Sequence, residues 1–240
     1  MNKDIHTNNS ILNKLAEIYP QLYLDPDNSS IEQFKAVLLQ GERPEICNTE
    51  HFAADERDSV EYVETPAGEA LVITLYNRHD FELFIRCMMA AKNGPYSNVT
   101  SDQVNLLQIA GGYELLDESE WIRASDDIRK YHELTHFVCR RLYPDMIDEV
   151  RDELIADAVG ICAAFGEYRR DLEELFLGIS GDRYTGGRLE NYTGEDTDMN
   201  DLAKRITSVL KGFEAKISEA PDRDIFNLMS ELQLSTELLH

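Results

Sequence analysis

Apolar positions recur at helical spacing near the start of the chain, at Ile11, Leu12, Leu15, Ile18 and Tyr19. Ser10 stands where an N-cap belongs, so the pattern predicts a helix from Ser10 to Leu22. Pro26 and Asn28-Ser29-Ser30 interrupt it. A second helix is expected from Ser30 through Ile31 to Leu39, stopping near Gly41 and Pro44. Between Ser59 and Asn77 the period changes. Val60-Glu-Tyr-Val63 alternates, Pro66-Ala67-Gly68 reads as a turn, and Ala70 to Tyr76 is rich in β-branched residues, which together predict a hairpin. Asp80 is the expected cap of a third helix through Phe81, Phe84, Ile85 and Met88, ended by Gly94-Pro95. A short helix is expected from Ser101.

The second half returns to a helical period. A long segment runs from about Glu118 through Trp121, Ile128, Tyr131, Leu134 and Val138 to Leu142, and Pro144 marks its end. Another helix is expected from Asp148 to about Leu177. Gly181 to Asp196 reads as a polar, Gly-rich loop, of a length that is usually functional or flexible. Two further helices, Asn200 to Ile217 and Pro221 to Leu239, complete the chain. The fold class is therefore α+β and mostly helical. Its organisation reads as one domain over residues 1–180, a loop over 181–198, and a C-terminal helical pair over 199–240 on the same core.

Composition narrows the classes of partner. With 240 residues and 42% hydrophobic content the chain has enough apolar surface to offset the entropy of ordering. Its 46 Asp and Glu against 23 Lys and Arg leave a net charge of -23, which repels phosphate backbones and anionic lipid. Neither nucleic acid nor a membrane is an expected partner. The first residues, Met1 to Ser10, lack a basic stretch followed by an apolar one, and no apolar run approaches the roughly 18 residues of a membrane span. Cys47, Cys87, Cys139 and Cys162 lie far apart with no CxxC pair, which suits reduced thiols in a cytoplasm.

The chemistry concentrates in Tyr131-His132-Glu133-Leu134-Thr135-His136, an HExxH motif within the long helical segment. Residues i and i+4 differ by about 40° of rotation, so both imidazoles share a face and reach one ion. Glu133, about 100° round the helix from His132, stands beside the metal as a base for its water. Tetrahedral zinc with an open position wants a third protein ligand. After the Pro144 turn the chain comes back a distance similar to the one it climbed, and Asp145, Asp148, Glu149, Asp152, Glu153 and Asp157 all lie within reach. Face chemistry favours Glu153, which shares its side of the helix with Ala156, Gly160 and Ala164, small residues that permit close helix approach. Asp157, one turn on, is placed to accept the outer N–H of a metal-bound histidine.

HELTH followed by Glu153-Leu-Ile-Ala-Asp157 resembles the gluzincin branch of the zincin metallopeptidases, with its thermolysin-like HExxH...ExxxD arrangement. The resemblance covers roughly residues 125 to 165. It implies an active-site helix pair packed against a small antiparallel sheet, one zinc per chain on His132, His136 and Glu153, Glu133 as general base, Asp157 behind the ligands, and a peptide or protein as substrate. Ala70 to Tyr76 would then be the strand along which an extended substrate lies, or plain core. The spacing from His136 to Glu153 is shorter than in thermolysin. That family's downstream oxyanion donor has no His counterpart here, because only His240 follows the motif. Tyr143, Tyr184, Tyr192, Arg183 and Arg188 are the candidates for that role or for substrate contact, with packing as the alternative for Tyr143.

Two other readings stand beside the hydrolase. One is a zinc-binding regulatory or interaction protein that keeps the fold and has lost or narrowed the chemistry. The other is a deformylase-like site with Cys87 as third ligand, although Phe84-Ile-Arg-Cys-Met-Met-Ala is a helical core pattern. His51 and His79 have no partner at ligand spacing.

Overall fold

The computed structural model describes residues 5–45, 47–93, 118–146 and 148–235. It is mostly helical, with two small two-stranded sheets, as an α+β chain should be. The chain divides into two compact units, one of residues 1–63 and 71–108 and the other of residues 64–70 and 109–240. Among the described residues no helix is long and apolar enough to cross a membrane.

The first unit holds α1 (Ile5–Ile18), α2 (Ile31–Leu39) and α3 (Arg78–Asn93), with most of a hairpin formed by β1 (Ser59–Thr65) and β2 (Gly68–Thr74) between the last two in sequence. Ser30 caps α2 with a reciprocal box: its hydroxyl accepts from Gln33 N–H, and Gln33 accepts from Ser30 N–H. Two expected starts move. The first helix begins upstream of Ser10, at Ile5, and ends at Ile18, where Pro20 begins a 3-10 turn. Asp80 does not cap α3. Asn77 does, accepting from His79 N–H at 2.9 Å. Asp80 lies inside the helix, fully buried, and accepts from Ala53 and Ala54 N–H at 2.9 and 2.8 Å, which pins Ala54 at a φ of 52°. Leu12, Leu15, Leu22, Phe52, Phe84 and Cys87 form this unit's core. The short helix expected from Ser101 lies outside the described residues.

The second unit carries the motif. Among the described residues α4 (Glu118–Leu142) and α5 (Glu149–Phe165) make the most extensive contact, and α8 (Ile225–Ser235) packs on both. α6 (Arg170–Leu177) lies on α5, and α7 (Met199–Ser218) packs against α6 and against β4 (Arg183–Tyr184), the partner of β3 (Ile179–Ser180). α5 is buried on nearly every side from Arg151 to Ile161, which marks it as the central helix. Asp148 caps its start on Arg151 N–H, and the Arg151 guanidinium donates to Gln233 O on α8.

The single helix expected from Asp148 to Leu177 is two. Gly166 adopts φ 71° and closes α5 with its N–H on Cys162 O, a left-handed cap that turns the chain before α6. The segment expected as a loop is also built. Gly181 and Asp182 make the β3–β4 turn, and Arg188–Tyr192 forms a 3-10 turn that buries Leu189 completely. The last helix starts at Ile225 rather than Pro221, because Asp224 accepts from Phe226 and Asn227 N–H.

One atom of absent side chain sets the separation of α4 and α5. A Cβ on Gly160 would lie 2.6 Å from the backbone carbonyl oxygen of Ile128. From this crossing, His132 and His136 lie about 6 and 12 Å along α4, and Asp157 and Glu153 about 4.5 and 10.5 Å back along α5. The two pairs are therefore level. Gly160→Ala is expected to cost about 2 kcal/mol by forcing the helices apart, read as a lowered thermal midpoint in calorimetry. An unchanged midpoint would show that the crossing tolerates the methyl group.

Candidate metal centre

At the level set by the crossing, three side chains from the two helices converge. His132 Nε2 lies 3.1 Å from His136 Nε2, and the Glu153 carboxylate meets both rings, its Oε2 3.4 Å from His132 Nε2 and its Oε1 3.3 Å from His136 Nε2. His132 and His136 are buried, and Glu153 is nearly so. Each of the three offers an atom within 4.8 Å of the others, and they form the one such His, Cys, Asp or Glu group among the described residues.

Asp157 sits behind His132 with no exposed surface. Its Oδ1 lies 2.9 Å from His132 Nδ1, so Nδ1 carries the hydrogen and Nε2 presents its lone pair to the cluster when the ring is neutral. Asp157 Oδ2 forms an ion pair with the Arg188 guanidinium. Burial works against ionisation of Asp157, but the charges and hydrogen bonds of Arg188 and His132 outweigh it and hold the carboxyl below its ordinary range. Burial likewise disfavours a charged His132. The hydrogen bonds and charges of Asp157 and Glu153 prevail there too, and raise its pKa to about 9. Glu153 shows the reciprocal effect: burial raises its pKa, and bonding to the two rings brings it below the ordinary value.

Three lone-pair donors packed this closely repel one another unless a cation lies among them. A proton on His132 serves in the metal-free protein. Zinc fits the same space, because bonds of about 2.0–2.1 Å at tetrahedral angles separate ligand atoms by roughly 3.3–3.4 Å, close to the 3.1, 3.3 and 3.4 Å found here. Two imidazoles and a carboxylate are also a donor set that zinc accepts.

Glu133 follows His132 on α4 and is exposed. Of the loop candidates, Tyr192 is at the cluster. Burial raises its pKa first, and the Glu153 and Asp157 charges with a hydrogen bond to Glu153 add to this, against the opposing pull of Arg188, so the hydroxyl stays neutral. Arg188 is committed to Asp157, and its guanidinium carbon lies 6.0 Å from the Tyr192 ring centroid. Tyr184 serves the loop instead. Its hydroxyl is 2.8 Å from both Gly187 O and Glu190 Oε2, and accepts from Gly187 N–H at 2.9 Å. Arg183 is exposed beside it on β4. Tyr143 stands two turns past His136, where its N–H donates to Cys139 O at 2.8 Å. Cys87 belongs to the first unit's core, where burial pushes its thiol up to about 12.

Glu173 and Tyr168, both within electrostatic reach of Asp157, belong to no motif in the sequence. Glu173 on α6 is fully buried, and its Oε2 accepts from the Tyr168 hydroxyl at 2.7 Å. Burial, reinforced by the Asp157 charge, raises its pKa well above the usual carboxylate value. The available signal was its position between Leu172 and Phe176 on a short amphipathic helix, where a glutamate faces the core.

The family model described as "Family of unknown function (DUF7005)" matches residues 89–236, more than half of the chain, and the chain belongs to that family. The matched span contains the whole cluster together with Arg188 and Tyr192. No curated protein and no solved structure matches the chain.

The proton on His132 and a metal ion compete for one lone pair, which gives the two forms opposite pH dependence. His132 is raised, so in the metal-free protein its stabilising contribution is complete below about pH 6.5 and is lost as pH rises through about 9. Melting curves recorded with a chelator should fall over that window. Zinc affinity, measured by competition with a chromophoric chelator, should instead rise over it, by about tenfold per pH unit for one displaced proton. A flat affinity profile would refute the competition.

Proposed function

We propose that this member of the DUF7005 family is a zinc-dependent hydrolase of the gluzincin type, and that it cleaves peptide bonds. The observation that carries the reading is the convergence of His132, His136 and Glu153 at separations of 3.1 to 3.4 Å, with Asp157 fixing the outer nitrogen of His132. On this reading α4 and α5 are the HExxH helix and the Glu-ligand helix of a zincin-like active site. His132, His136 and Glu153 hold a single zinc. When bound, the ion supplies Lewis-acid polarisation of a carbonyl and acidifies water near neutral pH.

The chain's own residues supply the rest. Glu133 is exposed on the turn that carries the two histidines, where a carboxylate takes a proton from water and passes it to the leaving amine. Tyr192 keeps its proton and hydrogen-bonds Glu153 at the cluster, which suits it to turn that bond from Glu153 to negative charge developing on the carbonyl oxygen. Tyr184 and Arg188 are occupied elsewhere and take no such part. Cys47, Cys87, Cys139 and Cys162 are all free thiols, which agrees with a cytoplasmic setting.

The second reading, a zinc-binding regulatory or interaction protein, is favoured by the burial of the two histidines and the commitment of Arg188 to Asp157. One experiment separates the two. Glu133→Gln should retain a single zinc by metal analysis and lose hydrolysis of a peptide library by about 10²- to 10⁴-fold. If the wild-type protein carries zinc and cleaves no peptide in the library, the second reading holds.

A further inference from the structure

The carboxylate that orients His132 is itself gripped from a third element. Asp157 divides its oxygens, Oδ1 to His132 and Oδ2 to Arg188, so the plane of the carboxylate is fixed from both sides with no surface exposed. Arg188 opens the same 3-10 turn that ends in Tyr192, the residue at Glu153. One five-residue turn therefore touches one of the three ligands, Glu153, and the carboxylate behind a second, His132. These two side chains tie the turn to α5, and its backbone must be placed so that both reach.

What places it is a backbone crossing just upstream. A Cβ on Gly178 would lie 2.4 Å from Gly186 O, and one on Gly187 would lie 2.6 Å from Gly178 Cα and Gly178 N. Gly178 also adopts φ 76°, as the left-handed cap of α6. Thr185 reinforces the crossing, its N–H and hydroxyl both donating to Gly178 O at 2.8 and 3.1 Å. Leu189 is completely buried beneath the turn. The position of Arg188 is thus set by two glycines that carry no functional group.

We propose that the Arg188–Tyr192 turn is a clamp on the metal centre, in which Arg188 positions Asp157, and through it His132, so that zinc retention depends on the close crossing of Gly178 and Gly187. The clamp rests on the zinc reading above and adds to it residues that are neither ligands nor base. Arginine suits the task because its guanidinium keeps its charge when buried and aims a fixed N–H, here Nη2, at Oδ2, whereas a lysine ammonium supplies charge without that orientation. Loss of an outer-shell partner of this kind costs about 10- to 100-fold in metal affinity.

The test measures zinc affinity by chelator competition and the visible absorption of the cobalt-substituted protein, with circular dichroism and melting curves to confirm folding. Arg188→Met and Gly187→Ala are each expected to weaken zinc binding by about 10- to 100-fold. Arg188→Lys should restore part of the loss while leaving an altered cobalt spectrum. Gly194→Ala, in the same segment but with open space around the added methyl group, should bind as the wild type does. If Arg188→Met or Gly187→Ala does not fold, Arg188→Lys decides by its cobalt spectrum alone. Folded variants of Arg188 and Gly187 that bind zinc within about threefold of wild type, with an unchanged cobalt spectrum, overturn the clamp. A wild-type chain that binds no zinc overturns the reading beneath it instead.

Discussion

The second unit depends on how closely two helices can pass. With a hydrogen at Gly160, α5 lies against the carbonyl of Ile128 on α4, nearer than a side chain would allow. That distance puts Asp157 level with His132, and Glu153 level with both histidines. The close approach has a second effect, because α5 is covered along almost its whole length and its polar groups must find partners inside. Arg151 reaches Gln233 O on α8, and Asp157 reaches His132 and Arg188.

Charge in this interior is balanced in sequence. The proton on His132 offsets Glu153 and Asp157 in the metal-free chain, and Arg188 offsets Asp157 from the other side. Glu173 is held above the usual carboxylate range by burial and by Asp157, which opposes a further negative charge here. A divalent ion replacing one proton would change this balance, so metal uptake and protonation are coupled here by electrostatics as well as by competition for a lone pair. The acidic surface, net -23, adds a long-range attraction for cations of any kind without selecting zinc. Selection rests with the donor set and its spacing.

Much of the local structure was legible in the chain. The capping box at Ser30, the hairpin, the 25-residue α4 and the Met199 start of α7 follow from short-range rules, and the structure departs from the expected bounds of the last by a single residue at each end. The misses have local causes as well. Asp80 reads as a cap because a lone Asp before an apolar run usually is one, yet it satisfies two amides from a distant loop. The break at Gly166 was legible as a glycine, but helical periodicity on both sides concealed it. The segment after Gly181 reads as a loop because its backbone bonds close through tight turns and one crossing, which leave no periodicity behind.

For the candidate site the division is sharper. HExxH on one helix already places two imidazoles on a common face, because the helix repeat alone decides it. The choice of Glu153 among six neighbouring acids followed from the small residues on its face, and the structure brings it to the histidines. Spacing along the chain carries no information about Arg188 or Glu173, which arrive from other elements through contacts between distant residues. Arg188 read as a substrate contact in sequence and became the partner of Asp157 only once two glycines let the backbone cross. Helix period and side-chain chemistry are properties of the sequence itself, whereas the pairing of charges across elements is fixed by excluded volume and burial, which exist only in the packed chain.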